Sequence, residues 1–495
     1  MIETGNPVNV KAIVFSAAAG IALAGVGVTG ASASAAGTPQ AVTPQTVTVT
    51  GAGASLATAS PGTQLWMKIY ANRGNGGASS AVVNSNGSTV FVTGYTTTAK
   101  GAADDTTVAY NSVTGAQRWA KSYGGPGAND RAVSVAVSPN GKAVFVTGYS
   151  FRAVSGVDYA TIAYNATTGA QLWVKRYDDG LGDNGISEAA EVAVSPNGST
   201  VFVTGYSLST TRGTDYATVA YNAATGAQRW AARYNGVSGG NYAHALAVSP
   251  NGKTVFVTGS SIGAHDSYDY ATVAYNAVTG AQRWAKRYNG ARNGGVSRGA
   301  NAVAVSGSTV FVTGSSIGTN DGYDYATVAY NAVTGAQRWA KRYDGPGTGD
   351  GQAYSAAVSP NGATVFVTGY TDTSSTSAGY DYATIAYNAA TGTQRWAARY
   401  NGTANFTDEA FSVAVAPGGG TVYVTGESAG GSFDGWGWAT VAYNAATGSR
   451  LWIRRYDGAG GARAFSVAVS RTTGTVFVTG YSGESGDYAT IAYKG

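Results

Sequence analysis

The chain has 495 residues, of which only 12% are charged, with a net charge of +5 and no cysteine. The absent cysteine excludes a disulfide framework, a thiolate metal site and a cysteine nucleophile. Lysine and arginine recur evenly along the sequence with no basic run, so no nucleic-acid-binding stripe is expected.

Residues 1–35 read as a secretory signal. Lys11 precedes an apolar run at 12–28, and small residues then offer A-x-A sites at Ala31-Ser32-Ala33 and Ala33-Ser34-Ala35. The run is short and rich in Ala and Gly for a membrane span. We therefore expect export and release into the extracellular space, with no stable membrane span after cleavage. Residues 36–63 carry no charge and are rich in Thr, Ala, Gly and Pro, which suits a flexible linker. Within it TVTVT (46–50) is compatible with a short edge strand.

From residue 64 the chain is periodic. Trp66, Trp119, Trp173, Trp230, Trp284, Trp339, Trp396 and Trp452 mark successive units, each with four short runs rich in Val, Tyr, Phe, Thr or Trp. In one unit these are EVAVSP (191–196), TVFVTGYS (200–207), DYATVAYN (215–222) and QRWAARY (228–234). We name them strands A, B, C and D. SPNG turns join A to B, and an N-A-x-T-G segment joins C to D. Both are hairpin signals. Four antiparallel strands per unit predict the blades of an all-β propeller.

FVTG or YVTG occurs eight times, with its glycine at 94, 148, 205, 259, 314, 369, 426 and 480. The first run (64–70) is a D strand without a preceding A, B or C. The last run (487–494) is a C strand without a following D. The prediction is an eight-bladed β-propeller over 64–495, its ring closed by the N-terminal D strand. Closure removes the free sheet edges of an open array.

The stretch AYNAATGAQRW (220–230) and its six relatives resemble the tryptophan docking motif of quinoprotein propellers, A-x-(D/N)-x-x-T-G-x-x-x-W. The VAVSPNGxTVFVTGYS pattern is similar to the SBBP and YVTN repeats of secreted bacterial propellers. The resemblance implies eight blades and a structural role for the eight tryptophans. It also raises pyrroloquinoline quinone (PQQ) and Ca²⁺ as cofactors. The vicinal disulfide of quinoprotein alcohol dehydrogenases has no counterpart here, however, and their metal ligands and base find no defined set of positions.

Strand parity puts the short, nearly identical A–B and C–D turns on one face of the disc. The variable B–C and D–A loops lie on the other, which is therefore the candidate functional face. At the start of strand A two columns vary where the repeat is otherwise copied. One holds Ser79, Val133, Ala190, His244, Asn301, Tyr354, Phe411 and Phe465. The other, two residues earlier, holds Gly77, Arg131, Glu188, Tyr242, Gly299, Gln352, Glu409 and Arg463. Together with Glu191 and Trp436 these are the candidate ligand-binding residues around the channel mouth.

Asp104, Asp158, Asp215, Asp269, Asp324, Asp381 and Asp487 begin strand C and face the end of strand D, where Arg176, Arg233, Arg287, Arg342, Arg399 and Arg455 recur, as cross-strand ion pairs would; in the seventh blade Gly437 replaces the Asp. Asp266 with Asp269 and Asp321 with Asp324 lack Ca²⁺-loop spacing. His244 and His265 are too few for a histidine metal site, so neither a metal site nor a catalytic set is assigned.

The leading expectation is a monomeric extracellular binding or scaffold module whose partner is a glycan, a protein or a small ligand. A quinone-dependent oxidoreductase and a carbohydrate-binding or carbohydrate-active protein are the alternatives. Trp436 is the residue that would stack on a sugar.

Overall fold

The computed structural model describes residues 59–495, except 71–75, 99–100, 179, 181–184, 210–212, 264–267, 291–298, 319–321, 347–348, 373–378, 405, 431–434, 459 and 484–485. The expected signal, most of the linker with TVTVT, and His265, Asp266 and Asp321 lie outside the described residues.

Strands form eight antiparallel four-stranded sheets. Seven are consecutive A-B-C-D blades, from blade 1 (Gly76–Val83, Thr89–Thr97, Ala103–Asn111, Gln117–Tyr123) to blade 7, which ends at Tyr456. Blade 8 takes A, B and C from Ala462–Val469, Val476–Ser482 and Asp487–Tyr493, and its D strand is Gln64–Tyr70. That strand pairs antiparallel with the C-terminal one, Trp66 facing Ala492 and Tyr70 facing Tyr488. The predicted closure is the one observed.

The core lies between blades. Phe202, Tyr216, Ala220 and Trp230 of blade 3 pack against Leu246, Val255, Val257 and Val273 of blade 4. The alternate residues Val201, Val203 and Val219 pack back onto blade 2. Both faces of each blade are covered, which is why strand B reads as a nearly unbroken apolar run rather than an alternating one.

Each repeated tryptophan is buried at this interface, and in Trp66, Trp119, Trp173, Trp230, Trp284, Trp339 and Trp396 the indole N–H donates into the next blade. Trp230 Nε1 donates to Ala277 O at 3.1 Å, and Trp284 Nε1 to Ala332 O at 3.2 Å. Phe and Tyr rings flank the indole, as Phe256 and Tyr330 flank Trp284 at 5.8 and 6.1 Å. The T-G glycine of the next blade lies on its face. At the seam this glycine is Gly62, with φ +79°, where a Cβ would come within 2.9 Å of the Trp452 ring. Gly62 N also donates to Lys494 O at 2.7 Å. The eighth copy of the motif is thus assembled from both ends of the chain.

Candidate functional site: the channel and its mouth

Strand A of each blade contacts strand A of the next, and the last contacts the first, so these strands surround the axis. Every A–B pair carries a register shift at one place. It falls between Ala78 and Ser80, Ala132 and Ser134, Ala189 and Glu191, Ala243 and Ala245, and correspondingly in blades 5–8. The skipped residues are Ser79, Val133, Ala190, His244, Asn301, Tyr354, Phe411 and Phe465. One of the two variable columns is therefore a ring of β-bulges, a device that re-aims a side chain. All eight bulge residues are buried, so they form a layer across the channel and not an exposed rim.

The repeated FVTG glycine makes this bulge feasible. At Gly148 a Cβ would sit 1.9 Å from Arg131 O and 2.8 Å from the Ala132 Cα. At Gly259 it would sit 2.0 Å from Tyr242 O. A glycine inside a strand pattern signals a close backbone approach. From sequence this glycine served only to count blades.

The bulge layer has two halves. His244 Nδ1 lies 2.8 Å from Ala300 O, and Asn301 Nδ2 donates to Ala353 O at 2.8 Å. Each reaches the carbonyl just ahead of the next blade's bulge. Burial lowers the His244 pKa to about 4, so at neutral pH the ring is uncharged and donates through Nδ1. Across the ring Tyr354 and Phe411 pack at 5.4 Å, and Phe411 and Phe465 at 5.9 Å.

One residue further on, Ser80, Ser134, Glu191, Ser355, Ser412 and Ser466 line an axial cavity of about 170 Å³. These side chains also stitch the blades together. Ser134 Oγ accepts from Val192 N at 3.3 Å and Ser412 Oγ from Val467 N at 3.2 Å. Glu191 takes the serine's place in blade 3 and accepts from Leu246 N at 2.6 Å. Burial raises its pKa to about 8, with the Leu246 hydrogen bond opposing the shift. By surface area it is only half-buried, because its free edge faces the cavity.

Above the bulges, the second variable column forms the mouth. Arg131 stacks over Tyr95 at 4.1 Å. Glu188 accepts from the Tyr206 hydroxyl, and Tyr206 packs edge-on against Tyr242 at 5.0 Å. Blades 6–8 hold the densest group. Tyr354 Oη donates to Glu409 Oε2 at 3.4 Å. Arg463 makes an ion pair with buried Glu427 at 2.5 Å and lies over the half-exposed Trp436 ring at 5.3 Å. Burial, reinforced by Asp408 and opposed by Arg463, raises the Glu427 pKa to about 7.

Arg131, Glu188, Glu191 and His244 thus each take separate partners and do not converge. Tyr354, Glu409, Phe411, Arg463, Phe465 and Trp436 do gather. Glu427, which completes that group, was not singled out from sequence. Its signal was a glutamate in VTGES where other blades have Tyr or Ser.

Five of the strand C aspartates pair as expected, Asp158–Arg176 and Asp324–Arg342 both at 2.9 Å, whereas Asp104 and Asp487 belong to blades whose strand D has Ser122 and Ile69 in the arginine's place. The paired aspartates are buried, and Arg176, Arg233, Arg287 and Arg342 also bind strand B, as Arg342 Nη1 does with Ser316 Oγ at 3.2 Å. These pairs brace the blade rather than decorate its surface.

A family model described as outer membrane protein assembly factor BamB matches residues 52–299 and again 270–495. The chain belongs to this family. Solved structures share the propeller fold with it. Quinohemoprotein alcohol dehydrogenase from Comamonas testosteroni aligns with a TM-score of 0.57 at 13% identity, over 88% of this chain and 77% of that one. Quinohemoprotein alcohol dehydrogenase ADHIIG from Pseudomonas putida HK5 gives 0.54 at 15% identity, over 87% and 76%. Sqt1 from Chaetomium thermophilum gives 0.57 at 12% identity, over 88% and 99%. No curated protein matches the sequence.

The quinone that the resemblance raises does not fit this chain. The axial cavity is small for a three-ring tricarboxylate, and the one titratable side chain on its wall, Glu191, is an acid, so the wall offers no cation to meet carboxylates. Among the described residues no group of three or more His, Asp or Glu side chains is placed to hold a metal.

Proposed function

We propose that this BamB-family propeller is an exported binding module that takes its ligand at the channel mouth over blades 6–8. One observation carries the reading: departures from the repeat in those blades pack together. A tolerated drift would scatter them. Arg463, fixed by Glu427, presents charge, Trp436 presents a half-exposed indole, and Glu409, held from below by the buried Tyr354 hydroxyl, presents a carboxyl group. An aromatic surface beside fixed polar groups is the chemistry that recognises a sugar ring, so carbohydrate is the ligand class proposed. Export is supported by the charged start, apolar run and A-x-A sites of residues 1–35.

The test is a glycan array followed by calorimetry on the responding sugar. Trp436→Ala is expected to lose ~10-fold or more in affinity while the thermal midpoint is kept, and so is Arg463→Gln made together with Glu427→Gln, which leaves no unpaired buried carboxylate. An array without signal, or variants that bind as the parent does, would overturn the reading. Titration with PQQ and Ca²⁺ is expected to show no stoichiometric uptake; uptake with dye reduction would favour the oxidoreductase instead.

A further inference from the structure

Basic residues are spread evenly along the sequence, but folding sorts them. The A–B and C–D turns all lie on one face of the disc, and none of them contains Asp or Glu. Next to the C–D turns stand Arg118, Arg229, Arg283, Arg338 and Arg395, all exposed. Each is held in the same pose by its own blade. Arg118 Nη2 donates to Ser88 O at 3.2 Å, Arg229 to Ser199 O at 3.1 Å, Arg283 to Lys253 O at 3.2 Å and Arg395 to Ala363 O at 3.3 Å. Arg338 uses Thr309 Oγ1 and Ser308 Oγ, both at 2.9 Å. All of these acceptors are neutral, so the charge is positioned but not neutralised. By contrast, the arginines at the other end of strand D sit against carboxylates.

Aliphatic side chains are interleaved with the cations. In blades 2 and 7 exposed Leu172 and Leu451 take the place of the arginine, and Val278 and Val333 stand 72% exposed at the turn tips.

We propose that the turn face docks flat on a bilayer surface carrying anionic lipid, its arginines meeting head-group phosphates and its valine tips seated between head groups. Charge complementarity requires an anionic partner. The distribution over five of the eight blades, with no groove or stripe, suits a planar surface that meets several blades at once. Aliphatic tips among cations have a use at a head-group boundary and none along a soluble polyanion. The site lies on the face opposite the channel mouth, and the two proposals stand or fall separately.

The test is co-sedimentation of the propeller with phosphatidylcholine vesicles with and without about a quarter phosphatidylglycerol. Binding is expected only with the anionic lipid, and should weaken ~10-fold or more between low and physiological salt. Replacing all five arginines by glutamine should remove it, and Arg283→Gln with Arg338→Gln should weaken it several-fold, with the thermal midpoint unchanged. Val278→Ser with Val333→Ser should weaken it without altering the salt dependence, whereas Arg463→Gln on the opposite face should leave it intact. Equal binding to neutral vesicles, or retention by the five-arginine variant, overturns the proposal. So does capture by soluble polyphosphate that is stronger than binding to vesicles and indifferent to the valine changes, which would make the face a polyanion site.

Discussion

Asp105 is the sharpest test of how the blades are held together. The equivalent residue of strand C is Tyr159, Tyr216, Tyr270, Tyr325, Tyr382 and Tyr488 in six other blades and Trp438 in blade 7. These tyrosines are fully buried, pack on the strand D tyrosine as Tyr382 does on Tyr400 at 5.2 Å, and donate to the next blade, as Tyr159 Oη does to Ala217 O at 3.0 Å. Asp105 holds the same register between Tyr95 and Tyr123. It is 1% exposed, and neither carboxyl oxygen has a hydrogen-bond partner. Burial first, then Asp130 and Asp104, raises its pKa well above the usual carboxylate range.

Asp105→Tyr should therefore stabilise the protein. The phenol contributes ~1.5–3 kcal/mol by burial, the ring pair ~0.5–1.5 kcal/mol and the hydrogen bond to blade 2 ~1 kcal/mol. Removing an unsatisfied buried carboxyl contributes a further ~1–3 kcal/mol. Side-chain ordering and tighter packing oppose this by ~1–3 kcal/mol. The expected net gain is ~3 kcal/mol, read as a rise of several degrees in the calorimetric midpoint.

The pH dependence supplies a second readout. A carboxyl whose folded pKa is raised holds more protons folded than unfolded above the unfolded pKa, so it lowers stability as pH climbs from about 4 through the folded pKa. Asp105→Asn should flatten that part of the profile without the full gain of tyrosine. If Asp105→Tyr destabilises the fold, or Asp105→Asn leaves the profile unchanged, the gap between blades 1 and 2 is not shaped and charged as argued.

Three further outcomes follow from the same contacts. Gly259→Ala forces a Cβ to within 2.0 Å of Tyr242 O and should cost ~2 kcal/mol or more in denaturant unfolding. Trp284→Phe removes the donor to Ala332 O and should cost ~1–3 kcal/mol. Glu191→Gln keeps an oxygen acceptor for Leu246 N–H. Because the Glu191 pKa is raised to about 8, this variant should match the parent near pH 5 and exceed it near pH 9 in thermal midpoint.

Much of the site was legible in part. The variable columns were visible as departures from the repeat, and the FVTG glycine carried a signal of close approach in strand B that was read only as a blade count. That the departures sit on bulges was not visible, because a bulge is defined by the partner strand's register. Nor was the partnership of Glu427 with Arg463, since the two belong to different blades. Asp105 was not singled out from the sequence, where it stands beside Asp104 at the start of strand C. Its isolation follows from what surrounds it in space.

By itself the sequence determined the blade count, the strands, their hairpins and the seam at Gly62 and Trp66. Each repeat carries its complete local pattern, and the order of runs at the two ends leaves one way to close the ring. Only the tertiary structure decided which variable residues meet at the mouth, which serines line the axis, and that cations spread along the chain share one face. Those outcomes depend on contacts between blades, made by residues about fifty-five positions apart, such as Glu191 and Leu246. The pattern within one repeat carries no information about them.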